Sequence, residues 1–251
     1  MRPSPSVVIA LATAAFLASA STASAQNINE PEVEKGQQKI ESFTVLNSGF
    51  HGGQAGDTRL LQNVSYYVGL TRWWQVKAFA VIEKPTGDDL SLTSANVENT
   101  FELLRADKNG GFGLAWFTGI QTAIDRDETN SVTFGPIFRI GTGPLSLILN
   151  PSLEKTYGQN RDPGIAFVYG WQVKQEIRKG FWLGLEGFGR LPDIGNDAPF
   201  KMTPEHSIGP LLTYEMELAD KRSLTWEIGT QFGLTDATPE VAAKLQVTYT
   251  Y

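Results

Sequence analysis

The end of the chain constrains its fold more than any other stretch. Ala243, Leu245, Val247, Tyr249 and Tyr251 fall on one face of an extended segment, and Lys244, Gln246, Thr248 and Thr250 fall on the other. A period of two is the mark of a strand with one apolar and one polar face. Chain ends fray unless they are tied down, so an amphipathic strand running to the last residue needs neighbours on both edges. A closed barrel supplies them. The C-terminal strands of bacterial outer-membrane barrels look like this, with a final aromatic that the assembly machinery reads. Phe is usual there, and Tyr251 departs from it.

The same alternation recurs upstream. On one face lie Leu60, Val64, Tyr66 and Val68, then Trp74, Val76, Ala78, Ala80 and Ile82, then Val97, Phe101 and Leu103. Leu114, Trp116, Ile120 and Ile124 follow, then Val132, Phe134, Phe138 and Ile140, then Leu145, Leu147, Leu149 and Leu153. Ile165, Phe167, Tyr169, Trp171 and Val173, then Leu183 and Leu185, then Ile208, Leu212, Tyr214, Met216 and Leu218, then Leu224, Trp226, Ile228 and Phe232 complete the series. A first strand over 38–47 alternates poorly and cannot be phased. With it, twelve strands are expected. Connections after odd strands are the longer, Gly/Asp/Pro-rich ones, such as that around Gly49, His51 and Gly53. Those after even strands are short turns, such as Lys179-Gly180. An outer-membrane barrel has this pattern, with the short turns in the periplasm and the longer loops outside.

Alternation alone fits a soluble barrel with its apolar face inward. Three features favour apolar-out. Strands of about ten residues match a tilted membrane-crossing strand. Aromatics gather near strand ends (Trp73, Trp74, Phe112, Phe181, Trp182, Tyr249, Tyr251), as an interfacial girdle requires. The polar face carries Gly69, Gly135, Gly170, Gly184, Gly209, Gly229 and Gly233. Glycine weakens a solvated outer face without return, whereas inside a barrel it makes room for charged neighbours. Pro136, Pro151 and Pro210 pull the other way. Each removes a ladder donor, so each is expected at a rim or a bulge.

Residues 1–25 form a secretory leader. Arg2 starts it, an apolar segment over 7–18 follows, and Ala23-Ser24-Ala25 is a small-x-small cleavage site. The apolar part is shorter than the about 20 residues of a spanning helix. Residues 26–37 are polar and acidic and are expected to be a loose periplasmic entry segment before a barrel over 38–251. Cysteine is absent, which excludes disulfides, thiolate metal sites and Cys nucleophiles. The net charge of −6 argues against a nucleic-acid partner.

Tyr66-Tyr67-Val68-Gly69-Leu70-Thr71-Arg72-Trp73-Trp74 and Val97-Glu98-Asn99-Thr100-Phe101-Glu102-Leu103 resemble the outer-membrane family named for the MetA pathway of phenol degradation. The resemblance covers nearly all of the chain after the leader. It implies a transporter barrel of this length and passage of small molecules, aromatic compounds among the candidates. It brings no catalytic residues.

The chemistry-bearing constellation is the charge set on the inferred lumen face: Arg59, Lys77, Glu98, Glu102, Arg139, Glu154, Lys174, Glu176, Glu186, Arg190, Glu215, Glu217, Glu227 and Lys244, with Glu83 in the same set. It either lines a polar channel that selects solutes or closes the lumen by pairing across it, since charges shielded from water must pair. Acids outnumber bases, so a conducting pore should prefer cations. Eight strands are filled by side chains and sixteen leave a channel, so twelve should leave a narrow one.

An enzyme is the rival class. Twelve-stranded outer-membrane phospholipases use a Ser–His pair on the outer wall. His206-Ser207 lacks their His-x-Ser-Asn-Gly context, and adjacent strand residues point to opposite faces. His206 is therefore expected to be a loop-end residue and the protein not to be an enzyme. Asp125, Asp127 and Glu128 form a solvated acidic loop, and neither metal nor cofactor is expected. The partners expected are outer-membrane lipid, the barrel-assembly machinery through the last strand, and small solutes, with the chain a monomer.

Overall fold

The structure is a computed structural model that describes residues 27–49, 57–108, 111–124, 129–159, 161–195 and 204–251. The leader, His51, Asn109-Gly110 and Asp125, Asp127 and Glu128 lie outside the described residues.

Twelve antiparallel strands close into one barrel. They are β1 (Gln38–Ser48), β2 (Thr58–Gly69), β3 (Trp74–Pro85), β4 (Ser91–Leu104), β5 (Phe112–Ala123), β6 (Asn130–Thr142), β7 (Leu145–Tyr157), β8 (Ala166–Arg178), β9 (Phe181–Leu191), β10 (Glu205–Glu217), β11 (Ser223–Gly233) and β12 (Val241–Thr250). Each pairs with its neighbours in sequence, and β1 closes the ring on β12. The seam runs unbroken from Lys39↔Thr250 to Ser48↔Val241. Closure leaves no strand edge unpaired.

The alternation decides which face points out. Leu245, Ile228, Leu185 and Val97 are exposed, while Lys244, Glu186 and Glu98, of the opposite parity, are buried. The barrel is therefore apolar outside and polar inside. β1 resists phasing because its polarity is inverted at its middle, although Glu41 and Asn47 still point inward and Ile40 and Leu46 outward. Phe43 and Val45 point inward and cluster with Leu61, Phe79, Val81 and Ala242. On the reverse face, Gln62 of β2 hydrogen-bonds Thr44 and Ser42.

The three prolines correct the sequence expectation. Pro136 and Pro151 sit at the middles of β6 and β7, and Pro210 is near the middle of β10; none is at a rim. The structure tolerates them by leaving gaps in single ladders. Pro136 pairs with Trp116 on β5, Pro151 with Tyr169 on β8 and Pro210 with Leu185 on β9. The ladder on the other side of each is interrupted.

The aromatic ends hold with one exception. Trp73, Trp74 and Phe101 stack together, as do Tyr249 and Tyr251. Trp182 instead lines the lumen, beneath the Lys174 ammonium.

Candidate functional site

The lumen is organised around two lysines, each set between two glutamates. Lys77 on β3 lies 3.7 Å from Glu41 on β1 and 3.5 Å from Glu98 on β4. The Tyr67 and Phe79 rings flank its ammonium at 5.0 and 4.7 Å. Glu41 also accepts hydrogen bonds from the Tyr67 hydroxyl (2.9 Å) and the Gln246 amide (2.8 Å). Across the lumen, Lys244 on β12 lies 2.5 Å from Glu186 on β9 and 3.0 Å from Glu227 on β11. Gln231 donates to Glu186 at 2.9 Å, and the Phe188 ring lies 5.6 Å from the Lys244 ammonium. Gly229 faces this cluster, and a Cβ there would sit 3.3 Å from Glu186 Oε1 and 3.5 Å from Lys244 Cε. Removing charges from water is costly unless each finds a partner. Here every lysine has two carboxylates, so each cluster keeps a formal excess of one negative charge.

Nearer the long-loop end, Arg190 holds Glu154 at 3.1 Å and Asp162 at 3.2 Å, and Arg59 holds Glu83 at 3.3 Å. Two expected lumen residues point elsewhere. Glu176 turns to accept the Gly180 N–H at 3.0 Å and caps the short turn. Glu217 pairs with Lys179 at 2.9 Å on the rim, with side chains 70% and 81% exposed. Glu215 is exposed and lines a cavity at the short-turn end.

Residues 27–37 were expected to be loose. They cross the lumen at the short-turn end instead. Beside β1, the Gly36 N–H donates to the Gly69 carbonyl and the Gly69 N–H donates to the Gln37 carbonyl. Glu102 accepts the Val33 N–H at 3.0 Å, and Arg105, itself bonded to Glu102, donates to the Val33 carbonyl. Glu32 pairs with Arg139 at 3.1 Å and Glu30 with Lys174 at 3.7 Å. Asn150 accepts the Asn29 N–H at 2.7 Å and donates to its carbonyl at 3.0 Å. Ile28 packs on Ala115, Phe117, Ile137 and Ile148. Three of the charged residues singled out in the sequence, Glu102, Arg139 and Lys174, thus hold this segment as well as lining the wall.

Sequence reasoning missed the segment because its partners are far away in the chain. One signal was present. Several lumen glycines are too small for the charge set alone to explain: a Cβ at Gly69 would meet the Glu34 carbonyl oxygen at 1.9 Å, and one at Gly170 would meet Ile28 Cδ1 at 2.8 Å.

The two acids of the segment titrate in opposite senses. Burial pushes the Glu30 carboxyl up, but Lys174, Lys39 and Arg139 together outweigh it and hold the group below its ordinary value. Burial dominates at Glu32 and raises it, against Arg139 and with Glu30 adding repulsion. Beside the segment remains a cavity of about 380 Å3. Its charged lining comprises Glu30, Glu32, Glu41, Glu98, Glu215 and Glu227 against Lys39, Lys77, Arg139 and Lys174, six acids to four bases.

His206 and Ser207 do not form a pair. His206 lies within β10, where its Nδ1 meets the Tyr169 hydroxyl at 2.5 Å, both on the outer wall, and Ser207 has the opposite parity. Among the described residues no cluster of three or more His, Asp or Glu is placed to hold a metal ion.

No family model matches the chain, and no curated protein matches it either. Solved structures do. An outer-membrane channel from Pseudomonas putida F1 superposes with a TM-score of 0.59 at 10% identity, over 89% of this chain and 98% of that one. The KdgM porin in complex with oligogalacturonate superposes with a TM-score of 0.52 at 9% identity, over 85% of this chain and 98% of that one. At such identities the likeness is one of fold: the closed outer-membrane-type barrel.

Proposed function

We propose that the protein is an outer-membrane channel for small molecules, narrowed at its periplasmic end by its own N-terminal segment. The observation that carries this is a charge-bearing lumen within a barrel whose outer face is predominantly apolar, with polar interruptions such as Thr44 and Gln62 on β1 and β2, Asn99 on β4 and His206 on β10. A membrane supplies the only solvent that such an outside suits. The fold likeness to two channels and the resemblance of the 66–74 and 97–103 stretches to the phenol-degradation family support the same reading. On it, the leader is removed after Ala25, the short turns face the periplasm, and the last strand is read by the assembly machinery. The acidic surplus suits cations and neutral solutes better than a polyanion such as the oligogalacturonate seen with KdgM.

A second reading is an occluded structural barrel. It is favoured by lumen side chains with no water contact, Glu186 and Phe43 at 0% exposure and Ile148 at 1%. Liposome swelling with sized sugars, run on the full chain and on a variant lacking 27–35, separates the two. The channel predicts slow swelling that accelerates on deletion, and cation preference in planar bilayers. Absence of swelling and conductance in both proteins would establish the occluded barrel instead.

A further inference from the structure

Followed backwards from β1, the N-terminal segment runs into the barrel. Gly36 and Gln37 bond the backbone of Gly69 at the short-turn end. Ten residues earlier, the Asn27 side-chain amide donates to Glu41 Oε1 at 3.3 Å. On its other side Asn27 borders a small cavity of about 40 Å3, together with Phe117, Asn150 and Glu154. Asn27 therefore lies within the lumen. Further along β1, towards the long loops, Phe43 and Val45 pack with Leu61, Phe79, Val81 and Ala242. A leader still joined to Asn27 would have to enter that packing or double back past the segment it precedes.

The surroundings of Asn27 are acidic. Glu41, Lys77 and Glu98 are all buried, and the Lys77 ammonium lies 3.7 and 3.5 Å from the two carboxylates. By formal charge the trio is one negative over. The donors that Asn27, Tyr67, Gln246 and Thr248 give to Glu41 are neutral, so they solvate its charge without cancelling it. Glu154, across the small cavity, is matched by Arg190. Charge held away from water is costly unless it is balanced. Leader removal after Ala25 makes one new cation, the α-ammonium of Gln26. A single residue spans at most about 3.6 Å, so covalent geometry keeps that ammonium close to the Asn27 backbone.

We infer that Glu41 and Glu98 form a binding site for the chain's own amino terminus, in which the α-ammonium released by leader removal joins Lys77 as the second cation. The occupant is a primary ammonium ion, delivered by the segment that ends at Asn27. Two carboxylates then face two cations, and the trio's surplus is gone. The precursor lacks this cation and carries a leader in its place, so only the processed chain narrows its own lumen. Maturation and narrowing become one event. The inference rests on the cleavage position in the channel reading, and its test does not depend on transport.

The mature full-length barrel in liposomes supplies the test. Glutaminyl cyclase, applied before the chain is folded, removes the charge at almost constant length. The Gln26 α-nitrogen attacks its own side-chain carbonyl carbon, a C–N bond forms, and the side-chain nitrogen leaves as ammonia, giving a neutral lactam. Hydrogen exchange over 27–35 should rise about tenfold in the cyclised protein, the factor that a charged hydrogen bond supplies. Two alanines added ahead of Gln26 keep the charge but displace it, and should act alike. Glu98→Gln should also raise exchange, and cyclisation in that background should add little, because both changes remove one interaction. The cyclised protein carries no substitution, so a folding defect of Glu98→Gln leaves its result standing. Unchanged exchange on cyclisation or extension, or full additivity with Glu98→Gln, overturns the site. So does a mass spectrum in which the mature chain starts elsewhere than Gln26, whereas the channel reading stands or falls separately on liposome swelling.

Discussion

The side chain of Asn150, in the middle of β7, bonds both backbone groups of Asn29, accepting from its N–H at 2.7 Å and donating to its carbonyl at 3.0 Å. One amide side chain thereby does what a strand partner would do, and pins the N-terminal segment across the lumen. An Asn150→Ala variant loses both bonds at about 1 kcal/mol each, or about thirtyfold in the undocked population. Hydrogen exchange over 27–35 should rise accordingly, while the barrel strands stay protected. Unchanged exchange would show that the ion pairs alone hold the segment.

Lys244 separates Glu186 from Glu227. Lys244→Met leaves two carboxylates facing each other, Glu186 fully buried and Glu227 at the cavity edge, and removing one partner of a buried set costs up to about 3–5 kcal/mol. Urea unfolding in lipid should show that loss. Neutralising the acids as well, with Glu186→Gln and Glu227→Gln, should recover most of it, because the cost lies in the orphaned charges and not in the missing methylenes.

Docking of the N-terminal segment should depend on pH in a defined direction. Glu30 is held below its ordinary value of 4.5, so its contribution is present above that value and lost as pH falls through the lower docked one. Glu32 is raised, so docking takes up its proton and favours Glu32 as pH falls through the raised value. The segment should therefore stay docked from neutral pH down to the ordinary carboxylate range and release only below it. Glu30→Gln should loosen it at neutral pH and remove the acid release, and Glu32→Gln should tighten it. Hydrogen exchange over 27–35 measured against pH checks all three. Release at about pH 6 in the unaltered protein would contradict the assignment.

The Lys179–Glu217 pair, exposed at the rim, predicts the opposite of the lumen pairs. Lys179→Ala should leave the unfolding midpoint where it is, because solvent and salt screen such pairs. The same measurement on Lys77→Ala, which removes the buried ammonium between Glu41 and Glu98, should show a clear loss.

The alternation by itself determined the strand count and which residues share a face of each strand, while strand length, aromatic placement and lumen glycines turned the apolar face outward. A period of two is local, and each strand carries its own copy of the signal. It left β1 unphased because Phe43 and Val45 find apolar partners inside the lumen from β2, β3 and β12. It put the prolines at rims or bulges because a single strand does not show which neighbour their missing donor faces. It picked out a charged set, two members of which, Glu176 and Glu217, turn to the short-turn rim, and it did not show the pairing: Lys244 meets Glu186 and Glu227 across 58 and 17 residues of chain. The N-terminal segment was hidden for the same reason. Glu30, Glu32 and Asn29 gain their partners only once twelve strands have curved round to surround them. Which way a side chain points is set by neighbours in the sequence, whereas what it meets inside a closed wall is set by the closure.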